Sequence, residues 1–239
     1  MDCVKRLSLK NVINCRDLGG FPCADGRVTQ FGRFLRCGVP KTPEQDEIVT
    51  LMQYGVSTVI DLRGNWESET YPSVFKFLDG VDYHHVSLFE ANVAVSQNST
   101  LTIAESYQHA VEDYKNSYRK VLEIIADAKD GCVLFNCYFG KDRTGILAAV
   151  LLSLAGVAYE DIIADYQVSY TYILPFIQRA RATHDESMWE TNDENFKSDA
   201  DTLASLINYM NKKYGSVEGY VKSAGVSDET IDKIRRRFF

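Results

Sequence analysis

The passage that most constrains this chain is Val133-Leu134-Phe135-Asn136-Cys137-Tyr138-Phe139-Gly140-Lys141-Asp142-Arg143-Thr144-Gly145, in which an apolar run breaks into a polar turn and then opens a helix. A buried strand feeding a tight turn and a helix N-terminus is a phosphate cradle by construction. Successive backbone N–H groups converge on an anion, the helix end adds partial positive charge, and Arg143 offers a planar bidentate fork. The same field favours the thiolate form of Cys137, the form a nucleophile needs at neutral pH. Cys and Arg at this spacing alone would read as a buried thiol and a surface cation. Gly140 in the turn, Thr144-Gly145 beyond the arginine and the strand-to-helix setting argue for chemistry. Tyr138, Phe139, Gly140, Lys141 and Gly145 are then expected to contact the substrate.

The rest of the chain supplies a scaffold for such a loop. Ala24-Asp25-Gly26 and Phe31-Gly32 punctuate short β-prone pieces between Phe21 and Cys37. Thr42-Pro43-Glu44-Gln45 predicts a helix start, with Thr42 as cap, Pro43 at the first position, Gln45 as reciprocal cap, and Ile48, Leu51 and Met52 on one face before Gly55. Ser57 to Arg63 and Val81 to Leu88 read as strands, Ile103 to Ala128 as one or two helices, and Cys132 to Phe135 as a short buried strand. Beyond Thr144 the pattern is helical, with Leu203, Leu206, Ile207 and Met210, then Ile231, Ile234 and Phe238, at helical spacing. Strands alternating with helices imply an α/β fold with a mostly parallel central sheet and a helical C-terminal region. The 239 residues fit one domain, 1–239.

A net charge of -7 argues against nucleic acid as partner, because phosphate neutralisation needs clustered Lys and Arg. The basic run Lys233 to Arg237 completes a helix opened by Ser227, Asp228 and Glu229, with base at its negative end. The first residues lack an export signal's apolar core and the apolar run Ile146 to Val157 is too short to span a bilayer, so a cytoplasmic protein without an integral membrane segment is expected. Six cysteines in such a chain read as free thiols. His84, His85, His109 and His184 are scattered and the cysteines show no paired ligand spacing, so neither metal nor cofactor is expected.

The loop resembles that of the protein tyrosine phosphatase superfamily, and more closely the atypical bacterial tyrosine and lipid phosphatases, whose loop reads His-Cys-x-x-Gly-Lys-Asp-Arg-Thr-Gly. The start Asn14-Cys15-Arg16-Asp17-Leu18-Gly19-Gly20 is similar to that family's Asn-x-Arg-Asp-Leu-Gly-Gly, Asp61-Leu62-Arg63 to its Asp-Leu-Arg strand end, and Asp165-Tyr166 to a later helical element. From Leu88 to about Tyr118 no motif matches, and by analogy that stretch would form a lid or substrate-facing helices. The resemblance implies that Cys137 attacks phosphorus to give a phosphocysteine, Arg143 holds the equatorial oxygens and Thr144 stabilises the departing thiolate. It also implies a phosphotyrosine protein or, through the second cation Lys141, a phosphoinositide as substrate, with inorganic phosphate as product. The plainer reading of Lys141 is a pair with Asp142.

One position departs from the pattern: Asn136 stands where the family has His, and carries no titratable charge. A working loop with a less activated nucleophile is the expectation. Two carboxylates compete for the general acid, Asp142 inside the loop and Asp61 at a strand end, with Glu67 and Glu69 behind them. A salt bridge from Asp61 to Arg63 or Arg16 is the competing account. Arg16 and Asp17 are expected to fix architecture, His84 and His85 to face opposite sides of a strand, and Tyr107, Tyr114 and Tyr118 to form a packing stripe. Two other functions fit part of the pattern: a phosphate-binding pseudophosphatase without turnover, and a rhodanese-like sulfurtransferase. The intact Cys137, Arg143 and Thr144 argue against the first and the Arg-Thr-Gly exit against the second.

Overall fold

The computed structural model describes residues 4–40, 42–89, 101–183 and 196–239. In chain order they form β1 (Arg16–Asp17), β2 (Phe34–Gly38), α1 (Gln45–Gln53), β3 (Val56–Asp61), α2 (Asn65–Thr70), β4 (Asp82–His85), α3 (Ile103–Asp113), α4 (Lys115–Asp127) and β5 (Cys132–Cys137). Five helices follow: α5 (Asp142–Ala155), α6 (Tyr159–Ala182), α7 (Ala200–Tyr214), α8 (Val217–Ser223) and α9 (Asp228–Arg237). The expected α/β architecture is therefore present. The strands lie in the order β1-β2-β5-β3-β4, parallel except for β1, which pairs antiparallel with β2.

The central strand β5 is buried on both faces, which is why its sequence is a continuous apolar run rather than an alternation. Val133, Phe135 and Cys137 point into the larger core, built with α3 to α9. Cys132 and Leu134 point the other way, into a smaller core with Leu35, Leu51 and Phe75. The register sets Gly38 of β2 and Asp61 of β3 beside the end of β5, against Cys137 and Asn136 respectively. Three strand ends thus converge where ligands of parallel sheets gather. Helix α5 leaves that point buried on nearly all sides and stops at Gly156, whose φ of 83° suits a residue without a side chain.

Two local expectations fail. Helix α1 starts at Gln45 with Glu44 before it, not after Thr42, because Glu47 rather than Gln45 closes the first turn: its carboxylate accepts the Glu44 N–H at 2.8 Å and the Asn11 N–H at 2.8 Å. His84 and His85 do not divide between core and surface. Both are half-buried on the edge strand β4, His84 beside Asp82 at 3.2 Å and His85 Nε2 at 2.8 Å from the Arg63 carbonyl. Tyr107 and Tyr118 are buried in the core, as a packing stripe requires. The five cysteines among the described residues are free thiols, and no described helix is long and apolar enough to cross a membrane. Within the stretch expected to form a lid, residues 90–100 lie outside the described residues, as does His184.

Candidate active site

Cys137 ends β5 and Arg143 sits in the first turn of α5, so the passage between them is a tight loop. Each carbonyl from Tyr138 to Lys141 is engaged on the outer side or along the helix. The Val39 N–H donates to Tyr138 O at 3.1 Å, Asn14 Nδ2 to Phe139 O at 3.1 Å and to Gly140 O at 2.9 Å, Arg36 Nη2 to Gly140 O at 2.8 Å, and the Gly145 N–H to Lys141 O at 2.7 Å. In a planar trans peptide the N–H opposes the C=O, so the amides of Phe139, Gly140, Lys141 and Asp142 turn to the concave side. That is an anion-binding nest at a helix N-terminus. Gly140 makes the turn with φ of 68°, and a Cβ there would lie 2.4 Å from the Cys37 carbonyl carbon.

The clamps on the outer side are themselves fixed. Asn14 holds a left-handed φ of 56° and accepts a hydrogen bond from Arg16 Nη1 at 2.5 Å. Asp165 of α6 takes Arg16 Nε at 2.9 Å and Arg36 Nη1 at 2.6 Å, all three side chains being almost fully buried. Burial alone would raise the Asp165 pKa, but the two guanidiniums outweigh it and hold the carboxyl at about 2. Burial pulls Arg36 down to about 10, which leaves it charged at neutral pH. Asp17, as expected, ties architecture together, accepting from the Gly19 and Gly32 N–H groups at 2.5 and 2.8 Å and from Tyr54 Oη at 2.6 Å.

On the concave side, Cys137 is 2% exposed. Arg143 turns one edge away to Glu67, with a very short Nη1 contact to Oε2 and Nη2 to Oε1 at 3.0 Å, and Nη1 also reaches Phe89 O at 3.1 Å. Burial opposes the charge on Arg143, yet Glu67 and Cys137 raise its pKa above the ordinary arginine value. Its Nε, like Thr144 Oγ1, Asn136 Oδ1 and Tyr118 Oη, is buried with no hydrogen-bond partner. The free edge of the guanidinium is thus Nε and the second Nη2 proton, the pair that forks onto an oxyanion. Asp142 has a side chain 28% exposed; its Oδ1 accepts from Tyr107 Oη at 2.5 Å and lies 3.2 Å from Lys141 Nζ, while Oδ2 has no partner among the described residues.

The structure brings Cys137, Asp142, Arg143 and Thr144 to one cradle and distributes the other expected residues differently. Asp61 is fully buried, its carboxylate filled by Arg63 Nε at 2.9 Å and Nη2 at 2.6 Å and by Tyr83 Oη at 2.9 Å, so the competing ion-pair account describes it. Asn136 Nδ2 leans on the same carboxylate at 3.3 Å. Lys141 is buried, with Nζ at 2.8 Å from Lys197 O as well as beside Asp142, which is the plainer of its two readings. Phe139 supplies backbone to the loop while its ring packs against Phe176 and Phe196. Gly145 lies inside α5 rather than at the cradle: a Cβ there would come within 2.9 Å of the Tyr166 ring. Glu67, considered as a fallback acid, is the partner of Arg143. Arg36 was not singled out by any local signal, and Tyr107 only as packing; both depend on partners far away in sequence. Among the described residues no group of three or more His, Cys, Asp or Glu forms a metal site.

A sequence-family model described as the tyrosine phosphatase family matches residues 7–239. A tyrosine-protein phosphatase of Nostoc commune is 32% identical over 198 residues, covering 78% of this chain and 67% of that protein. The triple specificity protein phosphatase PtpB of Mycobacterium tuberculosis is 23% identical over 255 residues, covering 85% and 90% of the two chains. The solved structure of TpbA from P. aeruginosa aligns with a TM-score of 0.39 at 13% identity, covering 89% of this chain and 91% of that one.

Proposed function

The chain belongs to the tyrosine phosphatase family, a family of phosphoric monoester hydrolases, and from that premise we propose that it hydrolyses phosphotyrosine by way of a phosphocysteine at Cys137. The observation that carries this reading is the loop between Cys137 and Arg143, whose carbonyls are engaged on the outer side or along the helix while Arg143 Nε is buried without a partner, an arrangement that supports an anion site formed by the loop amides and the free guanidinium edge. Phosphoryl transfer gains mostly from such positioning and charge stabilisation.

In the first step the Cys137 thiolate attacks phosphorus in line with the ester oxygen. The sulfur–phosphorus bond forms as the phosphorus–oxygen bond breaks, and protonated Asp142 gives its proton to the leaving phenolate. The nest amides and the Arg143 Nε edge hold the three equatorial oxygens throughout. In the second step water attacks the phosphocysteine, Asp142 takes its proton, and the thiolate departs, stabilised by the Thr144 hydroxyl. Asp142 carries the proton because its side chain, 28% exposed, is the one carboxylate beside the loop within reach of solvent among the described residues. Tyr107 and Lys141, both on Oδ1, orient it. Asp61 keeps Arg63 and Asn136 in place behind the thiol and moves no proton. Phosphoinositides form a second substrate class to assay, which rests on the likeness of the Gly140-Lys141-Asp142-Arg143 loop sequence, since the Lys141 ammonium is buried beside Asp142.

Hydrolysis of para-nitrophenyl phosphate in EDTA is the direct test. Wild-type turnover that vanadate blocks and Cys137→Ser abolishes is expected. Vanadate binding without turnover would replace the enzyme by a phosphate-binding pseudophosphatase, and release of phosphate from phosphotyrosine peptides but not from soluble phosphoinositides would remove the second substrate class.

A further inference from the structure

A pocket of about 330 Å³ opens between the N-terminal segment and the second half of α6, behind Asn14 and therefore on the carbonyl side of the phosphate loop. Three of its lining residues are cations, Arg6, Lys10 and Arg179, and no Asp or Glu lines it, although the chain as a whole carries a net charge of -7. Lys10 is paired at the rim with Glu44 at 2.5 Å. Arg6 and Arg179 have no carboxylate partner among the described residues: Arg6 lies 3.9 Å over the Tyr172 ring, and Arg179 Nη2 donates to Lys10 O at 3.1 Å. Glu44, Asp46 and Glu47 line the adjoining groove that shares Arg6 and Lys10, while this pocket itself presents cations alone, and an anion bound in it offsets their like charge. Two guanidiniums suit the geometry of phosphate, whose charge near neutrality matches theirs. Pro175 and Phe176 add an apolar wall, and the volume lies at the small end of ligand sites.

We propose that this pocket is a second anion site, separate from the nest above Cys137, that takes a phosphate group through Arg6 and Arg179. The group comes either as free inorganic phosphate or as a compact organic phosphomonoester. The site does not depend on turnover at Cys137.

Equilibrium dialysis of Cys137→Ser protein, first against inorganic phosphate and then against phenyl phosphate, tests it. Two phosphates per chain are expected, falling to one in Arg6→Gln or Arg179→Gln, or at least a tenfold loss at one of the two sites. Tighter binding of phenyl phosphate at the site these substitutions remove identifies an organic ester; equal binding identifies free phosphate. A parent that binds one phosphate, lost in Arg179→Gln, leaves the second site standing and removes the nest instead. Binding that neither substitution changes overturns the proposal, as does absence of saturable binding. Arg179 is near the end of α6 and makes one backbone contact, so Arg179→Gln carries the test if loss of the Arg6 ring contact unfolds the other variant.

Discussion

Three carboxylates surround the phosphate loop, and their contact with solvent separates them: the side chains of Asp61, Glu67 and Asp142 are 0%, 4% and 28% exposed. Of the three, Asp142 has the side chain most open to solvent, which supports the acid role proposed for it. Asp142→Asn is expected to lower kcat for phenyl phosphate by about 10²–10⁴-fold, the usual range for a general acid. The loss on para-nitrophenyl phosphate should be smaller, since that leaving group needs little protonation; equal losses on both would take the acid role from Asp142. Asp61→Asn should act on stability instead, leaving Arg63 buried beside a neutral amide at a cost of about 3–5 kcal/mol, measurable as a lowered urea midpoint. From sequence Asp61 and Asp142 were equal candidates. What distinguishes them is Arg63 folding back two residues onto Asp61, and the Tyr107 hydroxyl arriving from a helix 35 positions away, neither of which a local pattern contains.

At the scale of elements, the strand–loop–helix unit was legible because each of its parts has a local cause: an apolar run for a strand buried on both faces, a glycine where φ is positive, a helix directly after. Gly140→Ala tests the unit. Its Cβ would press on the backbone of β2, so the loop must open, and vanadate affinity should fall by at least tenfold with kcat lost. Preserved vanadate affinity would mean that β2 yields instead. Thr42-Pro43 carries a strong local start signal for α1, but Glu47 also binds the Asn11 backbone and so anchors the helix two residues later. The histidines of β4 do not divide between core and surface because β4 is the edge of the sheet, where all four of its residues are only half-buried.

For the whole molecule, the buried trio Arg16, Arg36 and Asp165 joins the N-terminal segment, β2 and α6 behind the loop. The Asp165 carboxyl is held at about 2, below the ordinary value of about 3.9. A depressed carboxyl stabilises the fold above the ordinary value, and that contribution is lost as pH falls through the folded one. Urea midpoints should therefore drop between about pH 4 and pH 2. Asp165→Asn should be less stable by about 3–5 kcal/mol at pH 7 and show a shallower acid decline; parallel declines would place the acid sensitivity elsewhere. Motif likeness flagged Arg16 and Asp165 separately, but the strand order that brings them together was not readable, because no local feature says which strand lies beside which. The contacts that shape the loop span 126 residues from Asn14 to Gly140 and 149 from Arg16 to Asp165. On a ribosome, Cys137 emerges before Asp165 has been made. A nascent chain that stops short of α6 holds the thiol and both clamps, Asn14 and Arg36, but not the carboxylate that fixes Arg16 and Arg36, so the outer side of the loop is locked only after α6 has been made and packed.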